Sequence, residues 1–502
     1  MRSSRLRLQI VVALSGAVIM SLEILGSRVL APSYGSSVYV WGSLLTVFLT
    51  ALAVGYALGG RLADRYPDPS AISLILAGAA VLILPAIQFA PGLLAALGRA
   101  NWDLRLGSLA AALALFLPPS LLMGMVSPFA VRVAVPNMDR VGSVAGSYSA
   151  LSTAGSILGT LATAFVLIPM FSVPTLLLVL AATLVLCAIL LMANRATVLA
   201  ASLAALACVF TGFARRPVED ISGVKILLSR DTAYHHLQVY QMDRVRLMRF
   251  DNLTQGGVHL DRPDRSVFGY DEAFFAAWAV KPGIKRVCVI GLGAGTFPRR
   301  LSEVFPDAHI DTVEIDPVVA QVAREYFGFK ESERNKIHIE DGRVFLARGG
   351  EPYDLIVLDA YNATGIPFHL MTREFFALAR TRLTRDGVFA ANFLGKVMGE
   401  RGELFWAAYG TIRRVFGQTY LMAPDLKEGE TAFIRNAIIV ASVSADPVTP
   451  EQFRSNAATV ARQWRLGALE VFTSIVRRSP PAPIEVPELS DAYAPIEALQ
   501  SF

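Results

Sequence analysis

Long apolar runs dominate the first 214 residues, and polar positions there are confined to short breaks. Seven runs are long enough to cross about 30 Å of hydrocarbon as helices. They occupy residues 8–32, 39–62, 71–90, 106–131, 144–168, 173–192 and 197–213. Only five acidic residues precede residue 215, and no lysine precedes Lys225. This pattern predicts a multi-span α-helical membrane domain of about seven helices over residues 1–214, with residues 197–213 as the weakest span.

Shorter apolar runs with frequent charges begin after residue 215. Residues 224–228, 237–241 and 246–250 read as strands and predict a small β-region over residues 215–270. Further strand patterns cover residues 286–290, 309–313, 336–339, 355–358, 388–392 and 437–441. Helical patterns between them cover residues 296–304, 317–326, 373–383 and 403–415. This alternation predicts an α/β, Rossmann-like domain over residues 271–502, built on a parallel sheet with helices on both faces.

Small and ionisable residues inside the apolar runs also make predictions. Glycine pairs at residues 55/59, 142/146 and 155/159 have the spacing that lets two membrane helices approach closely, so we expect helix packing there. Glu23 and Arg28 lie in the first run. An ionisable group at that depth is costly, and it is either functional or paired. Both interpretations stay open for these two residues.

The overall composition adds limits on partners. The 502 residues are 54% hydrophobic and carry a net charge of +5. The arginines flank apolar runs and form no basic-aromatic stripe, so we expect a lipid bilayer as partner and no nucleic acid. Three cysteines lack metal or disulfide spacing, and the histidines are scattered, so we expect no metal site. The first run lacks a convincing cleavage site, so we expect no cleavable signal peptide.

A glycine-rich turn carries the strongest chemical signal. The strand at residues 286–290 runs into Gly291, Gly293 and Gly295, and the next strand ends at Glu314. Glycines let the backbone approach a nucleoside, and an acid at the second strand end accepts bonds from ribose hydroxyls. These four residues are candidate cofactor ligands. A dinucleotide ligand is the alternative, disfavoured because the third spaced glycine is missing.

Acidic residues follow three successive strands of the predicted sheet. Glu314 follows the second strand, Asp341 the third and Asp359 the fourth. The carboxyl ends of parallel strands meet at one edge, so these side chains should converge on one crevice. Asp341 and Gly342 suit the exocyclic amine of adenine, and Asp359 would face the reacting end of the ligand.

The chain from about residue 220 onward resembles the spermidine synthase (polyamine aminopropyltransferase) family, which implies a class I methyltransferase-like fold. Residues 313–318 resemble its ribose-binding strand, residues 340–342 its adenine loop, and residues 353–359 the strand with its catalytic aspartate. The resemblance assigns Gln255 to the donor and Tyr270 and Glu272 to the substrate pocket. The whole chain is similar to bacterial proteins that fuse a membrane half to such a domain.

Two departures from the family pattern concern cation binding. Ala294 replaces the aspartate expected to meet the donor amine, and Asn362 replaces the second acid of the loop after Asp359. Losing two acids weakens the polyamine interpretation, because an unpaired buried ammonium is heavily penalised. Tyr270, Glu272, Tyr361 and Asn362 are the candidate substrate-binding residues, with Asp271 beside them. Residues 490–497 resemble a C-terminal signature of that group. Asp491 and Glu497 either return to the rim of the pocket or are solvated tail charges, and we expect the second.

The resemblance implies transfer of an aminopropyl group from decarboxylated S-adenosylmethionine to a polyamine-type amine, with Asp359 as base or orienting group. One alternative is a methyltransferase that uses S-adenosylmethionine on an amine or a lipid-soluble substrate. A second alternative is a transporter or sensor with a regulatory nucleoside domain. We expect a homodimer.

Arginines near residues 2–7, 61–65 and 132–140 favour the cytoplasm for those segments. Seven crossings would then leave the second half outside. Because sulfonium donors are made in the cytosol, we expect a multi-pass inner-membrane protein with a cytoplasmic catalytic half. That expectation requires either an outside amino terminus or an even number of crossings.

Overall fold

A computed structural model describes most of the chain. The described residues are 2–34, 37–99, 104–135, 141–191, 195–213, 223–251, 253–262, 265–361, 365–395, 402–422, 435–480, 482, 484–494 and 499. They separate into two compact units. The first unit is Met1–Glu219 with Arg230–His236, and the second is Asp220–Ser229 with Leu237–Phe502.

Helices make up most of the first unit over the residues that the structure describes. Its helices are α1 Arg2–Tyr34, α2 Val38–Arg65, α3 Pro69–Gln88, α4 Ala90–Arg99, α5 Leu104–Ala134, α6 Val141–Ala162, α7 Ile168–Met170, α8 Val173–Leu190 and α9 Arg195–Phe213. A π-helical turn, Thr163–Leu167, joins α6 to α7. Six segments of the described chain, those of α1, α2, α3, α5, α6 and α8, are long and apolar enough to span a membrane. The seventh predicted span forms α9, whose described apolar part, Thr197–Ala207, is shorter.

Glycines bring two pairs of these helices into backbone contact. A Cβ atom on Gly155 would lie 1.9 Å from the carbonyl oxygen of Ala13, and one on Gly159 would lie 2.4 Å from that of Ala17. Residue numbers rise together in this contact, so α1 and α6 run parallel. Gly55 and Gly59 of α2 meet α5 in the same way. The predicted packing is wrong for the pair at residues 142 and 146, where a side chain would meet nothing within 4 Å.

The turn Arg230–His236 belongs to the first unit through specific polar contacts. Arg28, near the end of α1, donates a hydrogen bond to the carbonyl of Ala233. The main-chain N–H of Val173, at the start of α8, donates to Asp231 Oδ2 at 3.1 Å. Asp231 Oδ1 is also hydrogen-bonded to His236 Nδ1 at 2.7 Å. Arg28 is therefore paired, which agrees with one of the two interpretations of the sequence.

The second unit begins with a four-stranded sheet. Its strands are β1 Val224–Asp231, β2 His236–Met242, β3 Val245–Phe250 and β4 Leu253–His259, in that order across the sheet. Three of these strands are predicted from the sequence. β4 is not, because Gly256 and Gly257 interrupt its apolar pattern and have low strand propensity.

An eight-stranded sheet forms the main part of the second unit. Its strands are β5 Arg286–Ile290, β6 His309–Glu314, β7 Asn335–Ile339, β8 Tyr353–Leu358, β9 Leu383–Gly395, β10 Gln418–Met422, β11 Arg435–Ser442 and β12 Val476–Arg478. The strand order is β12-β10-β11-β9-β8-β5-β6-β7. β7, β6, β5, β8 and β9 are parallel, which confirms the α/β Rossmann-like fold.

The all-parallel prediction is wrong for the strand at residues 437–441. β11 is antiparallel to β9, and β10 is antiparallel to β11. β10, which follows the helix after β9 and pairs directly with β11, is not predicted from the sequence. β10 runs in the same direction as β9, and β11 lies between them in the opposite direction.

Helices cover both faces of this sheet. They are α10 Ala277–Val280, α11 Thr296–Val304, α12 Pro317–Phe327, α13 Gly342–Ala347, α14 Arg373–Thr381, α15 Glu403–Phe416, α16 Pro450–Trp464 and α17 Gly467–Thr473, with 3₁₀ turns at Tyr270–Ala276 and Phe368–Leu370. Along β5, Val287 and Val289 enter one core while Cys288 and Ile290 enter the other. A strand buried on both faces reads as a continuous apolar run. α14 ends two residues earlier than predicted, because Leu383 already begins β9.

Candidate functional site

The glycine turn lies where the strand order reverses. β5 has β6 on one side and β8 on the other, so the crevice of a doubly wound sheet opens at its carboxyl end. Gly291 has φ +99°, and a Cβ atom there would lie 2.2 Å from the carbonyl oxygen of Asp359. At Gly293, with φ +52°, the nearest atom to such a Cβ is the carbonyl oxygen of Gln255, at 3.8 Å. The backbone at Gly291 is therefore tightly packed against Asp359, whereas Gly293 is less crowded on the side that faces β4.

This difference predicts unequal effects of two alanine substitutions. Gly291→Ala forces a side chain into backbone atoms at a φ that favours glycine, so it should destabilise the protein by several kcal/mol. Gly293→Ala is the matched control. Its Cβ atom meets only an ordinary van der Waals contact, so the substitution should cost only about 1–2 kcal/mol for the left-handed conformation. Thermal unfolding of both variants in detergent checks this, and equal losses would contradict the packing described.

Glu314 stands at the end of β6 with its carboxylate fixed by the backbone. The N–H of Leu292 donates to Oε2 at 3.1 Å, and the N–H of Asp316 donates to Oε1 at 2.9 Å. Burial raises the pKa of Glu314 to about 7, although these backbone bonds act in the opposite direction. The N–H of Ile315 also bonds to this carboxylate. The lone pairs that the backbone does not use can accept bonds from the hydroxyls of a ligand.

Asp341 serves first as the N-cap of α13. Its Oδ1 accepts the N–H groups of Arg343 and Val344 at 2.9 and 3.0 Å, and its Oδ2 is hydrogen-bonded to His369 Nε2 at 2.8 Å. The bond with His369 lowers the pKa of Asp341. One lone-pair position on Oδ2 remains for a ligand. The adjacent Gly342 has no space for a side chain, since a Cβ atom would lie 2.3 Å from the Ile290 side chain.

Asp359 follows β8 and is held by two neutral donors. The hydroxyl of Tyr270 donates to Oδ2 at 3.2 Å, and the amide nitrogen of Asn392 donates to Oδ1 at 3.0 Å. Burial raises the pKa of Asp359 to about 6, while both hydrogen bonds favour the ionised form. Asp359 is only partly buried. It is therefore an oriented carboxylate at the crevice surface whose pKa is close to neutral.

A second buried acid, Asp271, stands near Asp359. Only 6% of Asp271 is exposed, and its carboxylate accepts bonds from the side chains of Thr296 and Ser266. Burial raises the pKa of Asp271 to about 6, and its charge raises the pKa of Asp359 further. Two neighbouring carboxylates with limited access to water favour a positively charged ligand.

The other predicted substrate residues are distributed differently. The hydroxyl of Tyr361 donates to the carbonyl of Asn392 at 2.9 Å and accepts the N–H of Leu394 at 2.6 Å, which places it beside Asp359. Glu272 Oε2 accepts the N–H of Ala468 at 2.8 Å, at the start of α17. The structure therefore uses this carboxylate to hold α17 and brings its neighbour Asp271 toward Asp359. Asn362 lies outside the described residues.

Two side chains that hydrogen-bond to the predicted acids were not predicted from the sequence. Asn392 ends the predicted strand at residues 388–392 and donates to Asp359. The strand-end rule that found three acids would have found it, had amide side chains been included. His369, which pairs with Asp341, lies in the 3₁₀ turn Phe368–Leu370 and has no comparable sequence signal. Within the described ranges, no cluster of three or more metal-ligating side chains occurs.

Comparison with known proteins identifies a family and individual relatives of this chain. The family described as "Spermine/spermidine synthase domain" matches residues 270–432. A polyamine aminopropyltransferase from Vibrio vulnificus is 30% identical over 285 residues, which cover 55% of this chain and 91% of that enzyme. An eEF1A lysine and N-terminal methyltransferase from Homo sapiens is 37% identical over 157 residues, which cover 29% of this chain and 22% of that protein.

A crystal structure of a probable spermidine synthase from Corynebacterium glutamicum aligns with 54% of this chain and 100% of its own, at 18% identity and a TM-score of 0.40. The similarity to the Vibrio enzyme extends over nine-tenths of that enzyme. The chain therefore belongs to the polyamine aminopropyltransferase (spermidine synthase) family of transferases.

Proposed function

We propose that the protein is a membrane-bound aminopropyltransferase that uses decarboxylated S-adenosylmethionine as donor and a polyamine-type amine as acceptor. The observation that carries this proposal is the carboxylate of Asp359, oriented by Tyr270 and Asn392 at the carboxyl end of β8. Family membership supports the reaction class.

The glycine turn lies beside Asp359, and at Gly293 the backbone is not crowded on the side where a Cβ atom would stand. Glu314 would bind the ribose, the loop Asp341–Gly342 the adenine, and Gln255 would cover the donor.

The reaction joins an amine nitrogen to the aminopropyl carbon attached to sulfur. As the C–N bond forms, the C–S bond breaks and its electron pair returns to sulfur, leaving methylthioadenosine. The amine must lose a proton to become a nucleophile, and Asp359 accepts that proton or orients the amine while water removes it. Asp271 and Asp359 together offset the charge of the acceptor. Alignment of nitrogen, carbon and sulfur supplies the remaining acceleration.

Mass spectrometry of the products tests this proposal directly. Purified protein is incubated with decarboxylated or intact S-adenosylmethionine and a panel of amines. Elongated polyamine and methylthioadenosine, formed only from the decarboxylated donor, are the expected products. Methylated amine and S-adenosylhomocysteine would support the methyltransferase instead. That alternative is favoured by Ala294, which is buried against Gly256 and leaves no acid to recognise the donor amine. Donor binding without any product would support a regulatory domain of a transporter or sensor.

Membrane attachment in this proposal rests on the six long apolar segments. The parallel α1 and α6 fit a chain that crosses alternately. α9 packs along α3 and α8. The turn Arg230–His236 contacts the C-terminal end of α1 through Arg28. These contacts favour α9 as a seventh crossing. A cytoplasmic catalytic half then requires an amino terminus outside, against the arginine bias.

Labelling with a membrane-impermeant maleimide decides the sidedness. Asp307 has a 96% exposed side chain, so Asp307→Cys provides an accessible thiol in the catalytic half. A cytoplasmic catalytic half predicts labelling only after the cells are lysed, and labelling of intact cells would place it outside. The homodimer stays a prediction, which light scattering of the detergent-solubilised protein checks.

The pKa of Asp359 predicts how the reaction rate depends on pH. Because the acting form is ionised and its pKa is about 6, kcat/KM should rise with pH through an acid limb near 6. Tyr270→Phe removes a bond that favours the ionised form, so the limb should move up by about 0.5–1 pH unit. Tyr353→Phe is the control, since its hydroxyl bonds to Asp311 at the opposite end of the sheet. A limb that stays in place in Tyr270→Phe would contradict the assignment.

A further inference from the structure

The C-terminal residues 488–494 form a strap that is bonded across two helices of the second unit. Leu489 is completely buried. Its N–H donates to Thr411 Oγ1 of α15 at 3.0 Å, and its carbonyl accepts the N–H of Arg373 of α14 at 2.8 Å. These bonds fix the main chain immediately before Asp491.

Asp491 is the charged centre of this strap. Arg343 Nη1 and Nη2 donate to its two oxygens at 2.7 and 2.5 Å, a two-bond geometry typical of strong arginine–carboxylate pairs. Thr372 Oγ1 donates to Oδ1 at 2.7 Å, and Glu374 accepts the N–H of Asp491 at 2.9 Å. Asp491 is therefore paired while its side chain stays exposed to solvent. Glu497 lies outside the described residues.

Arg343, which the strap holds, is adjacent in sequence to the predicted adenine loop Asp341–Gly342. Arg343 follows Gly342, and its Nη1 also donates to the carbonyl of His369 at 3.1 Å. The ring of His369 is hydrogen-bonded to Asp341 Oδ2 at 2.8 Å. Asp491, Arg343, His369 and Asp341 thus form one connected chain of polar contacts. This chain links the C-terminal strap to both sides of the loop.

We propose that Asp491 is a positioning residue for the donor nucleoside, acting through Arg343 on the loop Asp341–Gly342. The inference rests on the proposed function, because it assumes that adenine lies against this loop. Without Asp491, Arg343 loses its partner and its hold on His369, so the loop must be ordered by the ligand on binding. The cost falls on donor affinity, while the acceptor site around Asp359 keeps its contacts.

The strap offers a matched pair of variants for the test. Asp491→Asn removes the charge that faces Arg343. Glu488→Gln removes the neighbouring strap charge, which pairs with Arg414 of α15 at 2.9 Å. Asp491→Asn should raise the donor Kd about tenfold and leave the acceptor KM and the saturated kcat within about twofold. Glu488→Gln should leave all three values unchanged. Calorimetry with decarboxylated S-adenosylmethionine and steady-state kinetics measure them.

Four outcomes separate the possibilities. Equal donor Kd values in Asp491→Asn and Glu488→Gln would overturn the inference while leaving the proposed function intact. A parallel loss of donor affinity, acceptor KM and melting temperature would also overturn it, since that pattern indicates general damage. Asp491→Glu should recover part of the donor affinity if the charge pair acts as described. Failure of the wild-type protein to bind either sulfonium would instead reject the proposed function.

Discussion

Asp359→Asn should lower kcat about a thousandfold while changing the donor Kd less than about threefold, as expected when a general base is removed. The substitution keeps the shape of the side chain and its hydrogen bond to Asn392, but the amide cannot accept the proton of the amine. Removing one of two neighbouring charges also relieves the repulsion from Asp271. The melting temperature should therefore not fall.

Single-turnover kinetics and calorimetry on the same preparation separate these effects. Asp307→Asn, the same chemical change at an exposed surface position, serves as the control and should behave like the wild type. If Asp359→Asn loses donor affinity and turnover to the same extent, then Asp359 binds the donor and is not the reacting carboxylate.

Glu314→Gln should weaken donor binding by about 10- to 100-fold, because bonds from ligand hydroxyls to a charged oxygen contribute about 1.5–3 kcal/mol. The amide would also turn a donor toward the N–H of either Leu292 or Asp316, so the glycine turn loses one of its fixed contacts. Glu325→Gln is the control, since Glu325 pairs only with Gln321 on the outer surface of α12 among the contacts described.

The two glutamate variants are compared by titration with decarboxylated S-adenosylmethionine. We expect a raised Kd in Glu314→Gln and a wild-type Kd in Glu325→Gln. An unchanged Kd in Glu314→Gln would show that the ribose does not lie on this carboxylate.

Local signals account for the elements that the sequence predicts well. α12 begins after Asp316, whose side chain caps the N–H of Val318, and has Pro317 at its first position. Gly328 ends it in the left-handed conformation. β5 reads clearly because both of its faces are buried. The direction of a strand has no such local signal. The antiparallel direction of β11 could be predicted only if β10 were recognised first, and the apolar pattern does not distinguish β10 from the residues around it.

The site shows the same limit at the level of single side chains. The strand-end rule placed Glu314, Asp341 and Asp359 at one edge of the sheet. It did not indicate which carboxylates the backbone already uses, and Asp341 caps α13. In the 3₁₀ turn Tyr270–Ala276, Asp271 turns inward while Glu272 caps α17. Adjacent side chains of a turn point in different directions. The three-residue motif at residues 270–272 does not specify which of its side chains faces Asp359.

The helical first unit shows why spacing alone does not predict contact. All three glycine pairs have the same separation, yet the pairs at residues 55/59 and 155/159 meet another helix and the pair at 142/146 does not. Close packing needs a partner helix at the right angle, which depends on the whole bundle. The number of crossings likewise depends on α9, whose apolar stretch is marginal in length.

Calorimetric titration of the detergent-solubilised wild-type protein tests the central claim most directly. Decarboxylated S-adenosylmethionine, intact S-adenosylmethionine and NAD are compared under identical conditions. We expect one-site binding of the decarboxylated sulfonium, weaker binding of the intact one and no heat from the dinucleotide. Binding of NAD without binding of either sulfonium would contradict the claim that Glu314, the glycine turn and Asp359 enclose an adenosyl sulfonium.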